Sequence, residues 1–113
     1  MTPEQSDLVE RLRFLLAEEP TTSDRHMFGQ LVLMVNDKIL VGAGKAGDLL
    51  VRVPADRHEE LLTHEGAAQA EMGPGRTMGP GWLVVEAPGL ESDEQLSFWV
   101  GAALDHNRRS AGR

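Results

Sequence analysis

The groups in this chain whose types could do chemistry are four histidines, a lysine framed by glycines, and a surplus of carboxylates. His58 and His64 stand six residues apart in the run from His58 to His64. The H-E-x-x-H arrangement that sets two imidazoles on one helical face for zinc has a spacing of four. Glu60 and His64 do have that spacing, but two groups do not complete a metal shell. His26 falls on an extended stretch and His106 near the far end of the chain, so the four read as ordinary surface histidines. Gly42-Ala43-Gly44-Lys45-Ala46-Gly47 shares only its glycines with a phosphate-binding loop. Such a loop needs Ser or Thr after the lysine and a helix whose amides meet the phosphate. Here Ala46 follows Lys45 and the next element reads as a strand, so the segment is a turn. None of Ser6, Ser23, Ser92, Ser97 and Ser110 sits in a G-x-S-x-G elbow. The residues thus support no catalytic, cofactor-binding or metal-binding assignment.

Size and charge set the outer bounds. At 113 residues the chain is one domain, able to bury roughly two-thirds of its unfolded surface. It has no cysteine, which excludes disulfides and thiolate chemistry and makes the cytoplasm the simplest compartment. The N-terminus is charged from Glu4 and lacks an apolar core, so no signal peptide is expected. No apolar run approaches the roughly 18 residues of a membrane span. The formal charge of -7 repels phosphate backbones and argues against direct nucleic-acid binding.

The elements that must position any site follow from periodicity. Thr2 can cap a helix with Pro3 in its first turn and Gln5 at the capping-box position. Leu8, Val9, Leu12, Leu15 and Leu16 form its apolar face to about Glu19, and Pro20 stops it. Arg25 to Val53 is the densest aliphatic stretch, an antiparallel meander with tight turns at Asn36-Asp37-Lys38 and Gly44–Gly47. Within it, Leu31 to Val35 is continuously apolar, which requires cover on both faces or a partner on the outer one. Pro54 opens a helix reaching His64, with Gly66 as its stop. Ala67 to Met72 reads as a short strand, Gly73 to Gly81 as a stiffened loop or wide hairpin, and Trp82 to Glu86 as a strand. Ser92 and Gln95 form a second capping box, ahead of a helix burying Leu96, Trp99, Val100, Ala103 and Leu104. Residues 1–106 make the domain, and 107–113, with Arg108 and Arg109 but nothing to bury, a disordered basic tail. The fold class is α+β, a two-layer arrangement of one antiparallel sheet with helices, in the order α-β(3-4)-α-β(2)-α.

That order, with Arg25-His26-Met27-Phe28-Gly29 leading into an aliphatic strand and a turn at Asp37, resembles the N-terminal domain of the TfoX/Sxy family. Met78 before the strand at Trp82 and the Leu96 to Leu104 helix continue the likeness over nearly the whole chain. Met-Phe-Gly is its most specific part. Gln30 stands where the family pattern has a second glycine, and the Gly-Pro-Gly elements around Met78 depart from it. The resemblance implies a two-layer fold similar to the type III secretion chaperones, often dimeric, here without the family's C-terminal domain. It also implies a regulatory role, since family members in bacterial competence act alongside the cyclic-AMP receptor protein.

The favoured reading is therefore a small non-enzymatic interaction or regulatory domain, requiring no cofactor, whose partner is a protein or a second copy in a homodimer. Arg25, Met27 and Phe28, together with Arg76 and Met78 on the glycine-proline loop, are the candidate partner-binding residues. The alternative is an enzyme or small-molecule binder with a pocket between sheet and helices near Arg25, Arg76 and Met78. A third reading, nucleic-acid binding through Arg108 and Arg109, runs against the net charge.

Overall fold

The computed structural model describes residues 1–19, 21–27 and 29–111. Pro20 as a helix stop and Phe28 as a partner-binding residue lie outside them. Helix α1 spans Pro3–Leu15, and strands β1 to β4 run Ser23–Met27, Gln30–Val35, Lys38–Ala43 and Leu49–Arg52. A 3-10 turn leads into the short helix α2, His58–Leu61. Strands β5 (Ala67–Gln69), β6 (Glu71–Gly73), β7 (Arg76–Thr77) and β8 (Trp82–Val85) precede helix α3, Asp93–Ala111. The main sheet has six antiparallel strands in the order β1-β2-β3-β4-β8-β5, and β6 and β7 form a separate hairpin. The α+β class and the antiparallel meander are as the sequence implies.

The turns explain the register. Asn36 and Asp37 both hold positive φ, 55° and 63°, the geometry of a two-residue hairpin loop whose twist matches that of its strands. Between β2 and β3 the register slips at Leu33/Met34, so Leu40 and Val41 both turn to the helical side and are fully buried. The row Leu33, Val41, Val51, Leu83 lies under the helices, each residue at most 1% exposed. Leu8, Leu12, Leu16, Leu61, Leu96, Trp99, Val100 and Ala103 close over it from the helices and their ends, making one core.

Several boundaries differ from expectation. Helix α1 ends at Leu15, and the chain continues in turns whose amides bond Leu12, Phe14 and Leu16 carbonyls. Helix α2 has a single turn because Gly66, at φ +81°, packs against Gly89 and the Glu86 carbonyl and draws the chain into β5. The glycine-proline segment is in part the β6–β7 hairpin. Gln5 caps no amide with its side chain; its Nε2 donates to the Ala43 carbonyl at 2.9 Å, while Thr2 Oγ1 accepts from the Gln5 amide. The Ser92–Gln95 box is reciprocal, at 3.0 and 2.9 Å.

The largest correction concerns the C-terminus. Residues 107–111 are helical, and Asn107 is buried at 2% exposure. Its Nδ2 donates to the Val35 carbonyl at 2.8 Å, and its Oδ1 accepts from Asn36 Nδ2 at 3.0 Å. Arg108 reaches Glu19 at 3.1 Å. For residues 107–111 the tail reading failed because Asn107 is polar by type, whereas its burial follows from two hydrogen bonds to the β2–β3 turn. The tail reading of 112 and 113 lies outside the described residues. Asn107→Ala is expected to destabilise by about 1–3 kcal/mol, since it strands the Val35 carbonyl and the Asn36 amide. Urea unfolding checks this, and an unchanged midpoint would show that the helix end is not held there.

Candidate functional site

All three helices pack on one side of the sheet, so the other side of each strand forms a face of its own. Pairing aligns Arg25, Val32, Gly42, Leu50, Val84 and Ala68 in a single row across all six strands of that outer face. Met27 pairs with Gln30, and Met34 with Ile39, on the same side. Met27, Met34, Ile39, Leu50 and Val84 are half-buried, while Val32 is 1% exposed although it lies outside the core under the helices. Gly42 leaves a notch: a Cβ there would meet Gln30 Oε1 first, then Leu50 and Val32 at 3.5 Å. The continuously apolar Leu31–Val35 run thus has one side under helices and the other on a helix-free face.

The candidate partner residues divide between the two ends of the sheet. Arg25 is exposed on the edge strand β1, with Met27 half-buried beside it. Arg76 is exposed on β7, and Met78, half-buried, donates its amide to the Ala70 carbonyl at 2.9 Å just past the opposite edge strand β5. Five strand spacings of about 4.8 Å put those edges roughly 24 Å apart. A pocket framed jointly by Arg25, Arg76 and Met78 is therefore ruled out. Sequence gave no measure of that separation, because β8 inserts between β4 and β5.

The histidines are not alike. His58 is buried, its Nδ1 accepting from the Gly81 amide and its Nε2 donating to Gln69 Oε1, each at 2.8 Å. Gln69 Nε2 in turn donates to the Ala70, Gly79 and Trp82 carbonyls. His58 is thus a fixed structural link rather than a surface residue. His64 stacks on Phe98 with ring centroids 4.7 Å apart and meets Trp99 edge-on. His106 lines a cavity of about 350 Å³ at the end of the sheet, with Lys38, Ile39, Arg52, Trp82 and Ser110. Burial, and then the positive fields of Arg52, Lys38 and Arg109, hold its pKa below the ordinary histidine value against the opposing Asp105. Among the described residues no group of three or more His, Asp or Glu is arranged to hold a metal ion, and no helix is long and apolar enough to cross a membrane.

A family model described as the TfoX N-terminal domain matches residues 15–107. The chain belongs to that family. No curated protein matches it. Membership in the TfoX N-terminal domain family suggests a regulatory domain. The matched span covers the whole sheet and reaches Asn107, the residue that ties α3 to the β2–β3 turn in this TfoX-type domain.

His58, read from the sequence as a surface histidine, and Gln69, which sequence reasoning passed over, organise the edge of the TfoX-type sheet. They are eleven residues apart on different elements, and no local pattern announces the pair. His58→Ala and Gln69→Ala are each expected to cost about 1–3 kcal/mol by orphaning buried amides and carbonyls. Because both belong to one network, the double variant should lose clearly less than the sum. A double-mutant cycle in urea reads this, and simple additivity would show that the link carries no coupling.

Proposed function

We propose that this TfoX-type domain is a non-enzymatic regulatory module that acts through protein contacts and self-associates through the helix-free face of its sheet. The observation that supports this most is the half-buried apolar set on that face, Leu50 and Val84 in the central row with Met34 and Ile39 beside it. The row is complementary to itself. A two-fold axis along the strands, between β3 and β4, would set Leu50 of one copy over Gly42 of the other and Val32 over Val84. The same axis would set Arg25 over Ala68, which is small enough to leave room, and bring Glu86 of the second copy to the Gln30–Met27 corner, diagonal to Arg25. Arg25 forms no ion pair within its own chain among the described residues, so it has a charge to offer there.

The face is about 24 Å across and about 20 Å along a strand of six residues such as β2, near the small end of specific interfaces. Sedimentation should therefore show a dimer that dissociates on dilution. Leu50→Glu should abolish it while leaving the helical circular dichroism intact, because a buried unpaired carboxylate at the centre of the face is strongly unfavourable. Arg25→Ala, at the rim, should weaken association by only a few-fold. A monomer at every accessible concentration would sink the self-association, and a dimer indifferent to Leu50→Glu would move it to another surface.

A further inference from the structure

The corner where β3 begins, β4 ends and α3 makes its last turns combines a concave shape with uncompensated positive charge. Its cavity of about 350 Å³ lies within the range of small-ligand sites. Lys38 enters it from β3, Arg52 from β4 and His106 from α3, so three separate elements each aim a basic side chain at one space. Arg52 is held rather than loose: its guanidinium lies 4.7 Å from the Trp82 ring centre and donates to the Pro80 carbonyl at 3.3 Å. Neither Lys38 nor Arg52 forms an ion pair among the described residues. Asp105, the acid whose field opposes the cations at His106, and Asp56 are both engaged by Arg109, at 3.2 and 3.6 Å, while Asp37 lies exposed in the turn just before Lys38. Ser110 Oγ sits 3.3 Å from His106 Nε2 and can reorient toward an incoming acceptor.

Arg52 is drawn partly out of water, where burial disfavours its charge, while Lys38 stays exposed at the rim, so an anion entering the cavity would gain from both. We propose that this corner binds a small phosphate monoester, its oxygens taken by Arg52 and Lys38 with the Ser110 hydroxyl as a further donor, and its organic part against Trp82 and Ile39. A guanidinium fork and an ammonium together suit a doubly charged, three-oxygen group, and the cavity leaves volume for a body beyond the phosphate. His106 reports occupancy. Empty, its imidazolium is disfavoured by burial and by the fields of Arg52, Lys38 and Arg109, with only Asp105 opposing. A bound dianion opposes those fields, so its pKa rises on binding and the complex takes up protons as pH falls through that window.

The test is titration of the whole domain with inorganic phosphate, AMP and phosphoserine, with adenosine and acetate as controls, following the His106 ring protons by NMR across pH. The expected result is saturable binding of phosphate and of at least one monoester, with the His106 pKa moving up and neither control producing that shift. AMP binding more tightly than phosphoserine would assign a nucleotide body, and the reverse a phosphorylated amino acid. Lys38→Gln, which disturbs no core contact, should weaken binding about tenfold, and Arg52→Gln more. The proposal is overturned if no phosphate compound shifts His106 saturably at millimolar concentration, if adenosine shifts it as AMP does, or if Lys38→Gln leaves affinity unchanged. Arg52→Gln also removes the Trp82 stack, so the exposed Lys38 variant carries the decision.

Discussion

A sheet that is apolar on both sides but roofed on one is the constraint from which the rest of this structure follows. Leu31 to Val35 supplies the clearest case, with Leu31, Leu33 and Val35 under the helices and Val32 and Met34 on the other side. Burial of the inner set fixes the register, because a slip of one residue would exchange the two faces. It does not dispose of the outer set. Valine and leucine there are shielded in part by their own neighbours, as Val32 is, and Gln30 lies across the Gly42 notch. A solvated antiparallel sheet would ordinarily alternate apolar with polar residues. This one puts Leu50 and Val84 side by side on its second face, and that is why the outer surface, rather than a cleft, bears the functional reading.

Roof and sheet are joined at their margins by buried polar contacts, while the centre is held by burial alone. Gln5 reaches the Ala43 carbonyl at one end of β3, and Asn107 reaches Val35 at the turn into its other end. Arg11 of α1 donates to the Leu90 carbonyl at 2.8 Å, and His58 with Gln69 ties α2 to the segment before β8. Each contact satisfies a backbone group where a strand or turn runs out of ladder partners, which is where an unpaired carbonyl or amide would otherwise be left dry. None of the buried side-chain polar atoms described lacks a partner.

Local features were legible in the sequence. The Asn36-Asp37 hairpin, the Ser92–Gln95 box and the apolar faces of α1 and α3 are all encoded by residues within a few positions of one another. What could not be read was whatever depends on distant pairing. The insertion of β8 between β4 and β5 separates Arg25 from Arg76 and Met78, and nothing in the intervening stretch signals it. Asn107 and His58 were misjudged for a related reason: residue type predicts exposure only on average, and a polar side chain is buried wherever two partners meet it. Phosphate chemistry was sought in the glycine turn around Lys45, where the motif suggested it. The basic groups that do converge, Lys38, Arg52 and His106, are spread over 69 positions of the chain.

Charge is sorted between the layers in a way that composition conceals. Arg11, Arg13, Arg57, Arg108 and Arg109, which lie on helices or the 3-10 turn, each pair with a carboxylate. Arg25, Lys38, Lys45, Arg52 and Arg76, which lie on strands or their turns, pair with none among the described residues. The surplus of acids therefore belongs mainly to the helical layer, where it keeps that surface solvated and its cations occupied. The strands and their turns carry Asp24, Asp37, Asp48, Glu71 and Glu86 against those five cations, so the sheet layer is close to neutral, and its apolar rows are bordered by cations free of ion pairs among the described residues. Formal charge taken over the whole chain argues against anionic partners, but partners meet a surface and not an average. On the sheet side that argument loses its force: an apolar centre with Arg25 at its rim suits a surface that brings a carboxylate, and the Arg52 corner suits an anion small enough to enter it.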